Sequence, residues 1–593
     1  MNENILIAIA WPYANAEIHV GNITGSHLPG DIVARYHRLL GNRVLMVSGT
    51  DSHGTPVTLK ADALNRPIEE VYKEYHDGFL ELFEQLGISY DLFTTTHTAN
   101  HFKVSQSIFL ALKANGFLYT EIRPQWYSPA AGRFLPDRYI EGTCYICGTE
   151  GARSDQCDAC GNVLEPEKLV NPISKLDGST PELRDTEHFY LDLSKLEPRV
   201  ANFLRDRQAY MRDTVLGESL GKIESEGLKP RPITRDLDWG IPVPVEGWEG
   251  KCLYVWFEAV IGYLSAPVEW SLITEQPDAW RDWWTNSEAK AFYFIGKDNI
   301  FFHTALWPAE LMGAGEQFMQ IFAEEEGQFL TLPYDVPANQ FMNMEGKKIS
   351  GSRNWAVWGR DFLSRYDPDP LRYYLTINMP ENRDTDWSWS DFHARNNNEL
   401  VATWGNLANR VLSFAYKHWE GHVPDPGELR PADQEIIATV EAGFESVGNL
   451  IATVKLRAAL SEAIRLASEA NKYLDSQAPW FEIKSDKAAA AKTIYTAMRV
   501  IDSLKLLLAP FLPFSSERLH AYLGYDAPLF GQQTIANVQD DLGEHTALRY
   551  LPQQASGNWE PSRLQPGKHF RKPEPLFKKL DVSIIEDERA RMG

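Results

Sequence analysis

The stretch ILIAIAWPYANAEIHVGN, residues 5–22, decides the fold. Its first six residues are apolar without alternation, as a strand buried on both faces of a parallel sheet requires, and Trp11-Pro12 ends the run. Residues 22–40 carry helical spacing, with an irregularity expected around Pro29-Gly30, and residues 42–49 (NRVLMVSG) repeat the buried-strand pattern. Strand, helix and strand in such short compass form a βαβ unit of the Rossmann type. The turn after its first strand offers free backbone N–H groups and the positive end of a helix, a seat for phosphate. That turn holds Pro12-Tyr13-Ala14-Asn15 and then His19-Val20-Gly21-Asn22. Gly21 lets a flat nucleotide approach the backbone, and His19 and Asn22 can donate to phosphate oxygens. A His-x-Gly-Asn string alone fits a surface or core feature equally well, so it carries function only in company.

Outward from this unit, residues 120–165 are dense in Gly, Pro and Cys and read as a small insertion. The doubly wound pattern resumes at 251–256 (KCLYVW) and 291–295 (AFYFI). From about residue 390 strand-like runs give way to helical apolar spacing, as in VKLRAALSEAIRLASEANKYL (454–474), which predicts a helical bundle to about 525. The final stretch is rich in Pro and Lys with weak periodicity. The expected class is α/β: a Rossmann-type parallel-sheet catalytic domain with a zinc-bearing insertion, then an all-α bundle.

With 593 residues, several domains are expected. The chain is 44% hydrophobic and 23% charged, the balance of a globular protein. The N-terminus has no basic segment leading an apolar one, and no apolar run is long enough for a membrane helix, so a cytoplasmic location and no membrane partner are expected. A net charge of −23 argues against nucleic-acid binding by the whole surface, though a local basic face can exist on an acidic protein.

Four of the five cysteines form Cys144-x2-Cys147-x9-Cys157-x2-Cys160. Two CxxC pairs at this spacing are a strong metal signal, and four thiolates close a tetrahedral shell typical of one structural zinc. Cys252 stands alone in an apolar segment and reads as a small core residue.

A second motif, KKISGSR at 347–353, places lysines among small residues, as a mobile loop closing over a triphosphate requires. Alone it fits a solvated basic turn. Paired with the N-terminal turn in this order and at this separation, it resembles the HIGH and KMSKS signatures of class I aminoacyl-tRNA synthetases. Asn22 stands for the second histidine and Gly351 for the second lysine, which removes one cation; Lys348 takes the expected role, with Lys347 as helper.

The resemblance runs along nearly the whole chain and sharpens to the methionyl-tRNA synthetase family. It implies activation of L-methionine by Mg-ATP and its transfer to tRNA(Met), initiator tRNA included. It places His19, Asn22, Lys348 and Arg235 at the reacting phosphates, and Gly21, Gly296, Asp298, Lys347, Ser350 and Ser352 around ATP. Asp51, in GTDSHGTP, would hold the α-ammonium, and Trp11, Tyr13, Trp256, Ala259, Val260, Tyr263 and His303 would form the amino-acid pocket. Aromatic edges suit a long, polarizable thioether. Trp11 departs from a common leucine and Val260 from a frequent proline. Asn406 and Arg410, four apart on one helix face, and Trp480 would read the CAU anticodon, by hydrogen bonds and stacking. Many relatives carry a second knuckle where this chain has residues 127–134 without cysteine, so one zinc is expected.

The implied divisions are 1–118 and 231–330 for the two Rossmann halves and 119–230 for the zinc-bearing insertion. They continue with 331–395 for the lysine loop and stem-contact region, 396–545 for the anticodon bundle and 546–593 for a tail folding back on the body. No further tRNA-binding domain of the kind through which some relatives dimerise is expected after the tail, and a monomer is expected. The rival readings fit less well. Leucine, isoleucine and valine enzymes carry a large editing insertion missing here. A cysteine enzyme needs zinc at its active site, and a non-catalytic paralogue would have lost His19, Asp51 and Lys348. A small nucleotidylyltransferase leaves the bundle unexplained.

Overall fold

The computed structural model describes residues 2–592 except 137–138, 155–156, 158, 161–163 and 165; the side chains of Pro166 and Ser352 also lie outside the described set. The central sheet holds seven strands: β1 (Asn4–Ile9), β2 (Arg43–Thr50), β3 (Leu92–Thr95), β4 (Lys290–Gly296), β5 (Ala338–Asn339), β6 (Gln532–Asp540) and β7 (Gly543–Leu551). Their order is β5-β4-β1-β2-β3-β7-β6. The first five run parallel, with Ile7 opposite Met46 on one side and Phe292 on the other. Unbroken apolar runs form β1 and β4 because helices cover both sheet faces. Ile5, Ile7 and Ile9 enter one core while Leu6 and Ala8 enter the other. The order reverses between β1 and β4, and a crevice opens at their carboxyl ends, where open α/β sheets bind ligands.

The helix after β1 is irregular at Ile23–His27, where it widens to a π turn, and regular from Leu28 to Leu39. The irregularity therefore precedes Pro29-Gly30; Pro29 sits near the start of the regular stretch, where its missing N–H is tolerated. The long strands Leu118–Ser128 and Glu182–Leu191 pair antiparallel and frame the cysteine-bearing insertion. Six helices of ten or more residues and the short helix Pro479–Glu482 lie between Asn406 and Tyr522 and build the bundle.

One part of the sequence reading is corrected. Residues 532–551, assigned to the bundle's end and the tail's start, form the β6–β7 hairpin, and β7 pairs antiparallel with β3 at Leu548–Phe93. Polar side chains alternate along QQTIANVQD because β6 is an edge strand with one solvated face, a pattern too weakly apolar to announce itself. The last residues fold back: Glu588 accepts from Arg365 and from the Tyr366 hydroxyl, and Arg589 pairs with Glu345 beside the lysine loop.

Candidate active site

A cleft of about 520 Å³ occupies the crevice between β1 and β4. The segments after those strands line it, together with Asp51, the N-terminal turns of the helix Val255–Ile273 and the loop around Lys348. The loops after β1 and β2 are zipped together: Ala14 N–H donates to Asp51 O (3.1 Å) and Asp51 N–H to Pro12 O (2.8 Å).

His19 caps the helix that opens at Val20. Its Nδ1 accepts from the Gly21 and Asn22 N–H groups (3.1 and 3.3 Å), and Asn22 Oδ1 accepts the His19 N–H (3.2 Å), a reciprocal capping box. Desolvation pushes His19 down to about 4, so the ring is neutral. With Nδ1 accepting, the proton sits on Nε2, leaving one N–H donor for an anion.

The lysine loop begins with a tight turn, Glu345 and Gly346 both having positive φ. Lys348 lines the same cleft as His19, Gly21 and Asn22, its ammonium 5.7 Å from the Phe341 ring. Lys347 rests on the loop's own indole, 4.8 Å from the Trp355 ring, and is not among the lining residues. Gly351 lines the cleft, and a Cβ there would come within 3.0 Å of the Trp358 ring, which fills the space a second lysine's stem would need. Ser350 is hydrogen-bonded through its backbone to Trp355 and does not line the cleft. The Ser352 side chain lies outside the described residues.

Arg235 is not brought into the cleft. Its guanidinium stacks on Tyr254 at 3.7 Å and donates to Thr234 O at 2.8 Å. Gly296 and Asp298, at the end of β4, do line it.

Trp11, Tyr13, Asp51, Trp256, Ala259, Val260, Tyr263 and His303 all line the same cleft. Trp256 stacks on Phe302 (4.3 Å between centroids) and meets Tyr13 edge-on (6.0 Å). The Trp11 indole lies where a Cβ on Gly49 or Gly262 would fall 2.1 or 2.6 Å from it, so two glycines make its slot. Burial, and then the charge of Glu258, push the Asp51 carboxyl well above the usual range. Sequence reasoning missed Phe302, Phe341, Trp358 and Glu258. Each lies within seven residues of a singled-out position, but an aromatic beside a motif carries no mark distinguishing lining from core.

In the bundle, Asn406 opens the helix Asn406–His418 and Arg410 follows one turn later. The helix Leu456–Gln477 ends at Ala478, held left-handed (φ 44°), and Pro479 starts a short turn carrying Trp480. That reversal sets the Trp480 ring 4.7 Å from the Arg410 guanidinium, which also pairs with Asp475 (2.8 Å). Phe481 beside it is 67% exposed.

The four cysteines converge: all Sγ atoms lie within 4.8 Å of one another, with Cys144–Cys160 at 4.0 Å and Cys147–Cys157 at 3.6 Å. Tetrahedral zinc–thiolate bonds put sulfurs about 3.8 Å apart, so the cluster fits such an ion. Cys252 is buried, with Sγ against Leu237 O.

Among the described residues, no helix is long and apolar enough to cross a membrane. Residues 5–412 match the family model described as tRNA synthetases class I (M), and residues 423–548 match the anticodon binding domain of methionyl tRNA ligase. The chain is 52% identical to the methionine–tRNA ligase of Thermomicrobium roseum and 51% to that of Chloroflexus aggregans, each comparison covering 100% of this chain and 99% of the relative. The crystal structure of Mycobacterium tuberculosis methionyl-tRNA synthetase bound by methionyl-adenylate superposes with a TM-score of 0.75 at 26% identity, covering 98% of this chain and 100% of that one. With both family models matched in tandem and half its residues shared with full-length relatives, the chain belongs to the methionyl-tRNA synthetase family of class I aminoacyl-tRNA synthetases.

Proposed function

We propose that the cleft between β1 and β4 activates L-methionine and loads it onto tRNA(Met), with the residues in the following roles. The observation that carries the reading is the meeting of His19, Asn22 and Lys348 around one crevice that is also lined by a buried acid, Asp51, and by aromatic rings. A methionine carboxylate oxygen attacks the α-phosphorus of Mg-ATP; the bond from that phosphorus to the α,β-bridging oxygen breaks and pyrophosphate leaves with that oxygen, giving methionyl-adenylate. The 2′-hydroxyl of the tRNA's terminal adenosine then attacks the adenylate carbonyl, and AMP leaves.

The chain supplies position and charge, as phosphoryl-transfer sites do. His19 Nε2–H and Asn22 donate to phosphate oxygens, and Lys348 neutralises charge growing on pyrophosphate. Asp51 pairs with the α-ammonium, and the space between Trp11, Trp256, Val260 and Tyr263 takes the thioether. Gly296 and Asp298 flank the ribose and adenine. Arg235 stacks on Tyr254 outside the cleft and would have to leave that ring to reach the α-phosphate. Asn406, Arg410 and Trp480 receive the anticodon: the indole stacks a base while amide and guanidinium bond base edges. Zinc at Cys144, Cys147, Cys157 and Cys160 would pin the insertion's loops, with no open position for chemistry.

The direct test is product formation. Enzyme, methionine and α-labelled ATP with pyrophosphatase should yield labelled methionyl-adenylate, and metal analysis should return one zinc per chain. Absence of the adenylate would refute the reading.

A further inference from the structure

Behind Asp51 lies a buried acid–histidine cluster that the two-step chemistry leaves unused. Glu258 stands in the first turn of the helix that also carries Trp256, Val260 and Tyr263, and it is fully buried. Its two oxygens go to two histidines: Oε1 accepts from His53 Nδ1 (2.9 Å) and Oε2 from His101 Nε2 (2.7 Å). A carboxylate only accepts, so both ring nitrogens donate. The remaining nitrogens are also engaged, His53 Nε2 with His97 Nδ1 (3.1 Å) and His101 Nδ1 with the Ser265 hydroxyl (2.7 Å). His97 stacks flat on Trp239 (4.5 Å, 16°), whose Nε1–H donates to Ser52 O (2.8 Å). The loop from Asp51 to His53 is therefore tied to the aromatic pocket helix through one acid.

The same acid acts on Asp51 by charge. Asp51 is 3% exposed, and its carboxylate accepts one weak bond, from the His53 N–H at 3.4 Å. Among the described residues, no lysine or arginine pairs with Asp51 or Glu258. Two buried carboxylates with no such cation between them form a site that gains from a bound ammonium.

We propose that Glu258 is a positioning residue for the amino-acid substrate: through His53 and His101 it fixes the Asp51 loop against the pocket helix, and its charge makes Asp51 select the α-ammonium. This rests on the reading of Asp51 as the ammonium site. The titration behaviour agrees: Glu258, which burial alone would raise, is held down to about 2 by His53 and His101, and Asp51 is pushed well above its usual range by burial and then by Glu258. The groups that face Asp51 are Glu258 and Tyr263 on the pocket helix and His53 on its own loop. Beyond them stand His97 and His101 on the segment after β3, with Lys73 and Asp540 acting on His97.

The test is Glu258→Gln, which keeps the side chain's shape and removes its charge, read by ATP–pyrophosphate exchange across pH in the full-length protein. Loss of a hydrogen-bonded charge should raise the methionine KM roughly 10-fold or more and leave the ATP KM unchanged. With the neighbouring negative charge gone, Asp51 ionises more readily, so the acid limb of kcat/KM for methionine should move to lower pH. An unmoved limb overturns the proposal, whether KM for methionine is unchanged or both KM values and the melting temperature worsen together. A measurement on the wild type stands independently of the variant's folding. Calorimetric binding of methioninol across pH, in two buffers of different protonation enthalpy, should show proton release that grows as pH falls, as Asp51 ionises against the ammonium, and no release at any pH overturns the proposal. Wild-type exchange run alongside separates the two layers. With exchange intact and the Glu258 results contrary, this inference alone fails; without exchange, the reading beneath it fails as well.

Discussion

The Tyr263 hydroxyl lies 2.7 Å from His303 Nε2, and the direction of that hydrogen bond is fixed by the ring's other nitrogen. His303 Nδ1 sits 2.9 Å from Asn299 O, a carbonyl that can only accept, so Nδ1 carries the proton and Nε2 accepts from Tyr263. Burial pushes His303 down to about 4 and Tyr263 well above its usual value, so the pair is neutral. A neutral, fully paired wall suits a thioether better than a charge would. Tyr263→Phe strands a buried acceptor, costing about 1–3 kcal/mol. The expected result is a higher methionine KM in pyrophosphate exchange with an unchanged ATP KM; equal KM values for methionine would remove this pair from the pocket.

The pH profile follows from the same accounting. His19 and His303 both sit near 4, so each gains its proton only well below pH 5 and neither changes charge between pH 5 and 8. Asp51, raised by burial and by Glu258, is the cleft carboxyl that loses its negative charge as pH falls. The acid limb of kcat/KM for methionine should therefore persist in His19→Gln, which lowers the rate at every pH. Disappearance of the limb in that variant would assign it to His19.

Lys348 and Lys347 should part company. Only Lys348 lines the cleft, while Lys347 lies on Trp355. Lys348→Ala should slow pyrophosphate exchange by roughly 100-fold or more with little change in methionine KM, and Lys347→Ala should fall far short of that. Equal losses would mean that the loop rearranges to bring both ammonium groups to the phosphates.

The slot for Trp11 gives a stability prediction. A methyl on Gly49 would meet the Trp11 ring at 2.1 Å and one on Gly262 at 2.6 Å. Gly49→Ala should cost about 1–3 kcal/mol by overpacking, read as a lowered melting temperature. Trp11→Leu in the same chain should restore most of it, since the indole is what the methyl strikes. A double variant no better than Gly49→Ala would place the conflict elsewhere.

In the bundle, Trp480→Ala should impair tRNA charging and leave pyrophosphate exchange intact. The Arg410 guanidinium lies 4.7 Å from the indole, so the two side chains form one surface that an unpaired base could meet. Parallel loss of both activities would point to a folding defect rather than to anticodon contact.

Much of this arrangement was legible in the chain because local physics imposed it. The unbroken run at residues 5–10 had to be a doubly buried strand, and two CxxC pairs so close in sequence had to meet. His19 and Lys348 were singled out because the paired motifs that hold them resemble the class I signatures, and Asp51 because the family resemblance implies its role. The β6–β7 hairpin was not found, because an edge strand's apolar face is thin and its partner, β3, lies more than 400 residues away. Nor was Glu258 found. Its meaning comes from His53 and His101, which no periodicity links to it. Arg235 shows the opposite limit: the family resemblance suggested the phosphate, and Tyr254, just past the segment Cys252–Leu253 that pairs with Thr234–Arg235, holds the guanidinium outside.

The most direct measurement is ATP–pyrophosphate exchange with each of the twenty amino acids offered singly. The account predicts exchange that depends on methionine and is slowed sharply by Lys348→Ala. Exchange supported best by another amino acid, or none with methionine, would contradict it.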